Sequence, residues 1–403
     1  MALTRRQLLQ SGAAGLAALS LPLPALGADT RRILLVIQLA GGNDGLNTLV
    51  PVADPRYRAL RPTVALGPNE VIPVRDTPLA LHAALAKLHV LFERGQLAIL
   101  QGVGTPAVNR SHFESTAIWQ TARLDPHREP AGWLGRALEQ RADAIGQPLT
   151  ALGIGGAGTS PVLVGTHAPY PSLASLEAFA VQPDRRFPQD APALNRAVAA
   201  LHANTKDDGS PAAYIRRVAR TALGASSALA SATQGYRSTV EYPNGLFGNQ
   251  LRLVAQLCSA PLGTTAFHLT LGGFDTHANQ KGQQANLLRQ LSDGIAALLE
   301  DAEAHGFIER LAVLTYSEFG RRAHENASGG TDHGAGSIAF VAGPGVRGGL
   351  YGNAVDLGAL ADGDVPSTLD FRALYASVLQ AWLGLKASPV VGSTPPFPLF
   401  RTA

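Results

Sequence analysis

The sequence predicts an α/β fold: a doubly wound, mainly parallel sheet with helices on both faces and an Ala-rich helical insertion. Three observations predict it. Apolar runs of strand length alternate with stretches of helical periodicity, the order that builds a parallel sheet covered by helices. Glycine and small polar residues follow those runs directly, as loops at strand ends do. Hydrophobic residues make up 46% of the 403 residues and charged residues only 16%, so the chain has the apolar content for a large buried core.

The elements follow in order. Arg5 and Arg6 precede an uncharged Ala/Leu stretch, too short to span a bilayer, and then prolines and small residues up to Gly27. This pattern reads as a twin-arginine signal peptide over residues 1–27, cut after Gly27, with a membrane anchor as the alternative. The expected location is therefore periplasmic or secreted, after export of an already folded chain by the twin-arginine machinery. Residues 28–403 are read as one α/β domain. "RILLVIQLA" is a buried strand and "GGNDGLN" its exit loop. A helix is expected from about Leu79 to Arg94, ended by Gly95, and then the strand "QLAILQGVG". Ser111 or Asn109 is positioned to cap the next helix, with Glu114 completing a capping box. "PLTALGIGG" and "SPVLVG" are short strand candidates. A helical cap or insertion is expected at about 185–235. "TTAFHLTLGG" is the next strong strand, followed by a helix from about Gly282 to His305 and by the strand "RLAVLTY". "SIAFVAG" and a closing helix complete the fold.

Cys258 is the only cysteine, which excludes an intrachain disulfide and a thiolate metal cluster. Any metal must use oxygen and nitrogen ligands. The net charge of +3, with no long basic run beyond the N-terminus, argues against nucleic acid as a partner. No stretch after the signal has transmembrane length, so no stable membrane insertion is expected after cleavage.

In a parallel α/β sheet, ligands gather beyond the carboxyl ends of the strands. The polar residues placed there are Asn43 and Asp44, Ser111 and His112, Asp275 and His277, and Glu318, with Asp332 and His333 in a glycine-rich loop before another strand. Carboxylates, imidazoles and a hydroxyl in these places suit an all-oxygen/nitrogen metal site. Residues two apart in extended chain share a face, so Asp275 and His277 reach one ion together. Each piece also has a plain structural role: Asp-x-His as a satisfied loop pair, Ser111 as a helix cap, Asp44 as an Asx-turn residue, and Glu318 as a partner of Arg321 or Arg322. His268, inside a strand, reads as a packed core residue.

"LAGGNDGLNTLVP", "NRSHFESTAIWQ", "GGFDTHANQ", "TYSEFGRR" and "GGTDHG", in this order after a twin-arginine signal, resemble the DUF1501 family of exported bacterial proteins. That family is similar to the alkaline phosphatase and sulfatase superfamily. The resemblance implies an alkaline-phosphatase-like fold, one or two divalent metal ions (zinc, manganese, magnesium or calcium), and Ser111 as nucleophile at a helix N-terminus. It implies Asp275, His277 and His333 as ligands of a first metal, with Asp332 in the same Asp-His loop, and Asp44 and Glu318 as ligands of a second. Arg110 and Arg321 would grip the non-bridging oxygens of a transferred group. The expected substrate is a phosphate ester, or in second place a sulfate ester, on a small molecule or a polymer. The chain departs from the superfamily in having Asp-x-His for Asp-x-x-x-His and "SEFG" for Ser-Asp-His-Gly, which places Phe319 where an imidazole would stand. It has no Cys-x-Pro-x-Arg motif, so formylglycine chemistry is excluded. The alternative function is a non-catalytic exported protein that binds or assembles a surface polymer.

Overall fold

The computed structural model describes residues 31–141, 148–156, 159–167, 170–176, 186–190 and 234–401, with isolated positions between 192 and 229. The expected signal peptide lies outside the described residues, as does most of the expected insertion at 185–235. The strands among the described residues are β1 (Ile33–Ala40), β2 (Leu49–Val50), β3 (Val71–Pro73), β4 (Ala80–His82), β5 (Leu97–Gly104), β6 (Ala151–Ile154), β7 (Ser172–Leu173), β8 (Ala266–Gly272), β9 (Leu311–Tyr316), β10 (Ser337–Ala342), β11 (Gly349–Tyr351) and β12 (Leu369–Asp370). The helices that matter below are α1 (Ala86–Glu93), α2 (His112–Thr121), α3 (Trp133–Leu138), α4 (Leu246–Ser259), α5 (Gln280–Ala304) and α6 (Phe371–Ser377).

Nine strands form one sheet in the order β11-β5-β10-β9-β1-β8-β6-β7, with β12 also paired to β5. All its pairings are parallel except those of β10, which runs against β5 and β9. β1 sits in the interior, parallel to β8 on one side and β9 on the other. Its sequence explains that position. Ile33, Leu35, Ile37 and Leu39 face one core and Leu34 and Val36 the other, and each is at most 1% exposed. Period-2 alternation thus feeds two apolar layers, and burying each such side chain contributes about 1.5–3 kcal/mol. On the first face lie α1, α4 and α5, through Leu88, Leu251 and Leu291, and on the second lie α2, α3 and α6, through Trp119, Trp133 and Tyr375. The sheet is doubly wound, as expected.

Three local expectations differ. Ala80–His82 is a strand, not the first turn of a helix, because it pairs antiparallel with β2 and β3, and α1 starts only at Ala86. "SPVLVG" holds a short 3-10 turn at Pro161–Leu163, where Pro161 cannot donate to a ladder. The capping box at Ser111 does not form. The Ser111 hydroxyl makes no cap hydrogen bond, and the Glu114 carboxylate accepts from His127 Nε2 at 3.0 Å instead. α4 is absent from the expectations above, although Phe247, Leu251, Val254, Ala255 and Cys258 recur at helical spacing and are buried. No helix among the described residues is long and apolar enough to cross a membrane.

Candidate metal centre

The loops after β1, β5, β8 and β9, and the loop entering antiparallel β10, meet at one end of the sheet. Close backbone approach brings them together. A side chain at Gly41 (φ +121°) would lie 2.3 Å from the backbone nitrogen of Asp275, and one at Gly42 (φ +81°) would lie 2.5 Å from the Phe319 ring. Glycine is therefore required at both positions.

Three imidazoles and one carboxylate converge here. His277 Nε2 and His333 Nε2 each lie 3.0 Å from Asp275 Oδ1, and His112 Nε2 lies 3.4 Å from the same oxygen. The other nitrogen of each ring is tied to an oxygen: His112 Nδ1 to Glu318 Oε1 at 2.9 Å, His277 Nδ1 to Asp332 Oδ1 at 3.1 Å, and His333 Nδ1 to the Arg110 carbonyl at 2.8 Å. Each Nδ1 must donate in those contacts, so in the neutral rings each Nε2 presents a lone pair to the same point. The 2.9 Å approach of His277 Nε2 to His333 Nε2 then sets two lone pairs against each other, which is unfavourable unless a positive charge lies between them. His112 Nε2 is buried and has no hydrogen-bond partner among the described residues.

These separations suit a divalent cation. Ligand atoms about 2.0–2.1 Å from a tetrahedral ion lie about 3.3 Å apart. One ligand atom each from His112, Asp275 and His333 fall within 4.8 Å of one another, and His277 Nε2 stands beside two of them. The outer hydrogen bonds from Glu318, Asp332 and the Arg110 carbonyl fix the tautomers, as in metal centres whose histidines are oriented from behind.

Burial would raise the Asp275 carboxyl, but the hydrogen bond from the buried Arg321 guanidinium and its positive charge outweigh it and hold the pKa at about 2. The Asp332 carboxyl is also held below its ordinary value, first by its hydrogen bond from Asn326 and, against the opposing effect of burial, by the bond from His277.

The sequence-predicted residues divide into three groups. Asp275, His277 and His333 come together at the centre, joined by His112, which the sequence places beside Ser111 among the polar residues that follow the strands. Glu318 and Asp332 stand on the far side of two of these rings, holding His112 and His277 by Nδ1. Asp44 and Arg321 are placed elsewhere. The Asp44 carboxylate is buried, accepts from Arg61 at 2.6 Å and Gln280 at 2.5 Å, and caps the turn at Leu46. Both oxygens of the Asp44 carboxylate are thus engaged by buried donors. Arg321 is fully buried and donates to the carbonyls of Gly42 and Thr331 at 2.7 Å, of Phe274 at 2.9 Å and of Gly41, and to Asp275 Oδ1 at 2.7 Å. Its donors bind loop backbone together, and the side chain is enclosed, with no exposed surface toward a substrate. Arg110 pairs with buried Asp364 at 2.5 Å from the rim of the site. Ser111 is exposed at the N-terminus of α2, next to His112. Phe319 packs on two of the imidazoles, with ring centroids 4.9 Å from His112 and 4.6 Å from His333. Arg61 carries no signal in the sequence, since an arginine in "RALRP" looks like any surface residue.

The fold and this site define a doubly wound α/β protein with a polar centre beyond the carboxyl ends of its strands. The chain belongs to the family described as "Protein of unknown function (DUF1501)", whose profile matches residues 96–391. No curated protein matches it. Solved structures that resemble it include the PsFucS1 sulfatase from Pseudoalteromonas sp., at 12% identity and a TM-score of 0.37, covering 88% of this chain and 70% of that one. The C-terminal periplasmic domain of EcEptC from Escherichia coli follows at 10% identity and a TM-score of 0.41, covering 93% and 88%. Murine ectonucleotide pyrophosphatase/phosphodiesterase 5, as an inactive variant in complex with AMP, has 9% identity and a TM-score of 0.40, covering 90% and 99%. Likeness of this degree carries no argument about chemistry.

Proposed function

We propose that this protein is an exported metal-dependent hydrolase of phosphate esters, with sulfate esters as the second substrate class and Ser111 as nucleophile. One observation carries the reading: three histidines, each held by its Nδ1, aim Nε2 at Asp275 immediately beside an exposed serine at a helix N-terminus. His112, Asp275, His277 and His333 would hold one ion. Three imidazoles and a carboxylate suit zinc or another transition metal better than magnesium or calcium. When bound, the ion would supply charge stabilisation to the oxygens of the transferred group.

The chain's own residues supply the rest. In this reading Ser111 Oγ forms a bond to phosphorus while the ester oxygen leaves and takes up a proton, and water then cleaves the seryl phosphate. The N-terminus of α2 stabilises negative charge at Ser111 through its free backbone N–H groups. Arg110, whose side chain is paired with Asp364 and Asp362, orients His333 through its carbonyl. Arg321 keeps the loops from parting.

The first experiment is elemental mass spectrometry of mature protein purified without chelator, beside an Asp275→Ala, His333→Ala double variant. One metal per chain, lost in the variant, supports the centre. A panel of phosphate and sulfate esters, with Ser111→Ala as control, then tests the chemistry. A metal-replete protein that turned over no ester would sink the hydrolase. The capture of Asp44 and Arg321 by buried contacts favours a second reading, an exported protein that binds a surface polymer without turnover. Under that reading Ser111→Ala leaves the phenotype intact.

A further inference from the structure

The loop from β9 to β10 supplies Glu318, Asp332 and His333, and it also carries Asn326, which no motif in the sequence singles out. Its amide lies behind the candidate metal centre. Asn326 Nδ2 donates to the His277 carbonyl at 2.9 Å and to Asp332 Oδ1 at 3.1 Å. Asn326 Oδ1 accepts from the N–H groups of Ser328 at 2.9 Å and Gly330 at 3.2 Å. Only this orientation of the amide fits, since a flipped one would set oxygen against two acceptors and NH2 against two donors.

These bonds reach His277 by three routes. The first is direct, through its carbonyl. The second runs through Asp332, because the Oδ1 that accepts from Asn326 also accepts from His277 Nδ1 at 3.1 Å. The third runs through the turn over residues 326–330, which Asn326 closes with its side chain and with its own N–H to the Gly330 carbonyl at 2.8 Å. Carbonyls of that turn, those of Ser328 and Gly329, accept from the N–H groups of Asn279 and Gln280 at 3.3 and 3.0 Å, where α5 begins. The turn and the His277 backbone are in contact, since a side chain at Gly330 would lie 2.3 Å from the His277 carbonyl carbon.

The exposure of Asp332 makes that hold necessary. Glu318, which fixes His112, is 2% exposed in its side chain, and His333 is fixed by a backbone carbonyl. The Asp332 side chain is 58% exposed. An exposed carboxylate gains little from one partner, because water competes and the side chain gives up its freedom to stay in place. A second donor on the same oxygen, from an amide anchored at every atom, turns it into a fixed acceptor for the ring.

We infer that Asn326 is a positioning residue of the metal centre: its amide locks Asp332 and the His277 backbone together and so keeps His277 Nε2 aimed beside Asp275. The inference rests on the metal reading above and gives Asn326 no contact with metal or substrate.

The test titrates cobalt(II) into the metal-free, full mature chain and follows the visible absorption bands, which report ligand geometry. Wild type, Asn326→Ala, His277→Ala and the double variant form a cycle. Asn326→Ala should lower cobalt affinity about 10–100-fold, as loss of a group that orients a ligating histidine does, and at saturation its bands should shift toward those of His277→Ala. In the His277→Ala background His112, Asp275 and His333 remain, and there Asn326→Ala should change affinity by less than about twofold. Equal losses in both backgrounds would show that Asn326 merely supports the loop and would overturn the inference, as would unchanged affinity in Asn326→Ala. Asn326→Asp has nearly the same shape but sets an anion against Asp332, so it should lose at least as much. If Asn326→Ala fails to fold, Asn326→Asp takes its place in the cycle. Wild-type chain that takes up no cobalt would sink the metal reading and this inference with it, whereas wild-type uptake with an insensitive Asn326 sinks the inference alone.

Discussion

The cluster around Asp275 and the network around Asp44 are built from the same materials and do opposite things. Both follow strands of the central sheet and both contain a carboxylate facing a guanidinium. Asp275 is 46% exposed in its side chain, and three imidazoles aim lone pairs beside it. Asp44 and Arg61 are at most 1% exposed, and around them Asn47, Tyr57, Gln280 and the carbonyls of Arg322 and Ala323 close a complete set of hydrogen bonds. The difference teaches that position after a strand marks where a site can be, while saturation of partners decides whether it is one. Asp44 has nothing left to offer a ligand, and the histidines have.

Asp44→Ala breaks the comparison most sharply. It strands the Arg61 charge in the interior, and loss of one partner of a buried pair costs about 3–5 kcal/mol. A large fall in the urea midpoint is expected, whereas Asp275→Ala, which takes the carboxylate from buried Arg321 but leaves that guanidinium its loop carbonyls, should lower the midpoint less. Equal falls in the two variants would erase the distinction.

The next largest effect is a pH dependence from His268, buried in β8. The His268 ring titrates at about 4 in the folded chain against an ordinary 6.5, so the unfolded chain takes up its proton first as pH falls. Stability should be full above about pH 6.5 and decline by about 3 kcal/mol on the way to pH 4 from this group alone. His268→Asn should flatten that part of a urea-midpoint profile, and an unchanged slope would remove His268 as its source.

Glu318→Gln sharpens the open side. Glu318 touches no ligand position directly but holds His112 Nδ1 and accepts from the Gly41 N–H at 2.8 Å. Metal affinity should fall about 10–100-fold, as for other residues that orient a ligating histidine, read by competition with a chromogenic chelator. No change would place His112 outside the centre.

Phe113→Ala is the smallest. Phe113 is 90% exposed beside Ser111 and His112, so stability should stay within about 0.5 kcal/mol. A severalfold rise in KM with kcat unchanged would show that its ring carries part of the substrate. A thermal shift of many degrees would contradict its exposure.

Much of the fold was legible because its signals are local. β1 announces itself by a run of buried apolar residues, and the loops gather where parallel strands end. Ala80–His82 was misread because pairing with Val71–Pro73 across a short hairpin, and with Leu49–Val50 from further back in the chain, overrides helical periodicity. α4 went unread although its amphipathic spacing was present. At the site, Asp275, His277 and His333 stood out as motifs. His112 did not, because a single histidine after a serine has no spacing to a second ligand.

By itself the sequence determined the doubly wound sheet, the end of it where a site would form, the exclusion of thiolate ligands, and the family. These depend on periodicity, composition and motif order, which are properties of short segments. Only the tertiary structure showed that Asp44 and Arg321 are enclosed by buried partners, that Glu318 and Asp332 lie against the Nδ1 atoms of His112 and His277, and that His112 Nε2 lies 3.4 Å from Asp275 Oδ1. The physical reason is that a side chain's role depends on which of its donors and acceptors remain unsatisfied. Partners such as Arg61 and Asp44, or His333 and Asp275, meet only when loops far apart in the chain close on one another.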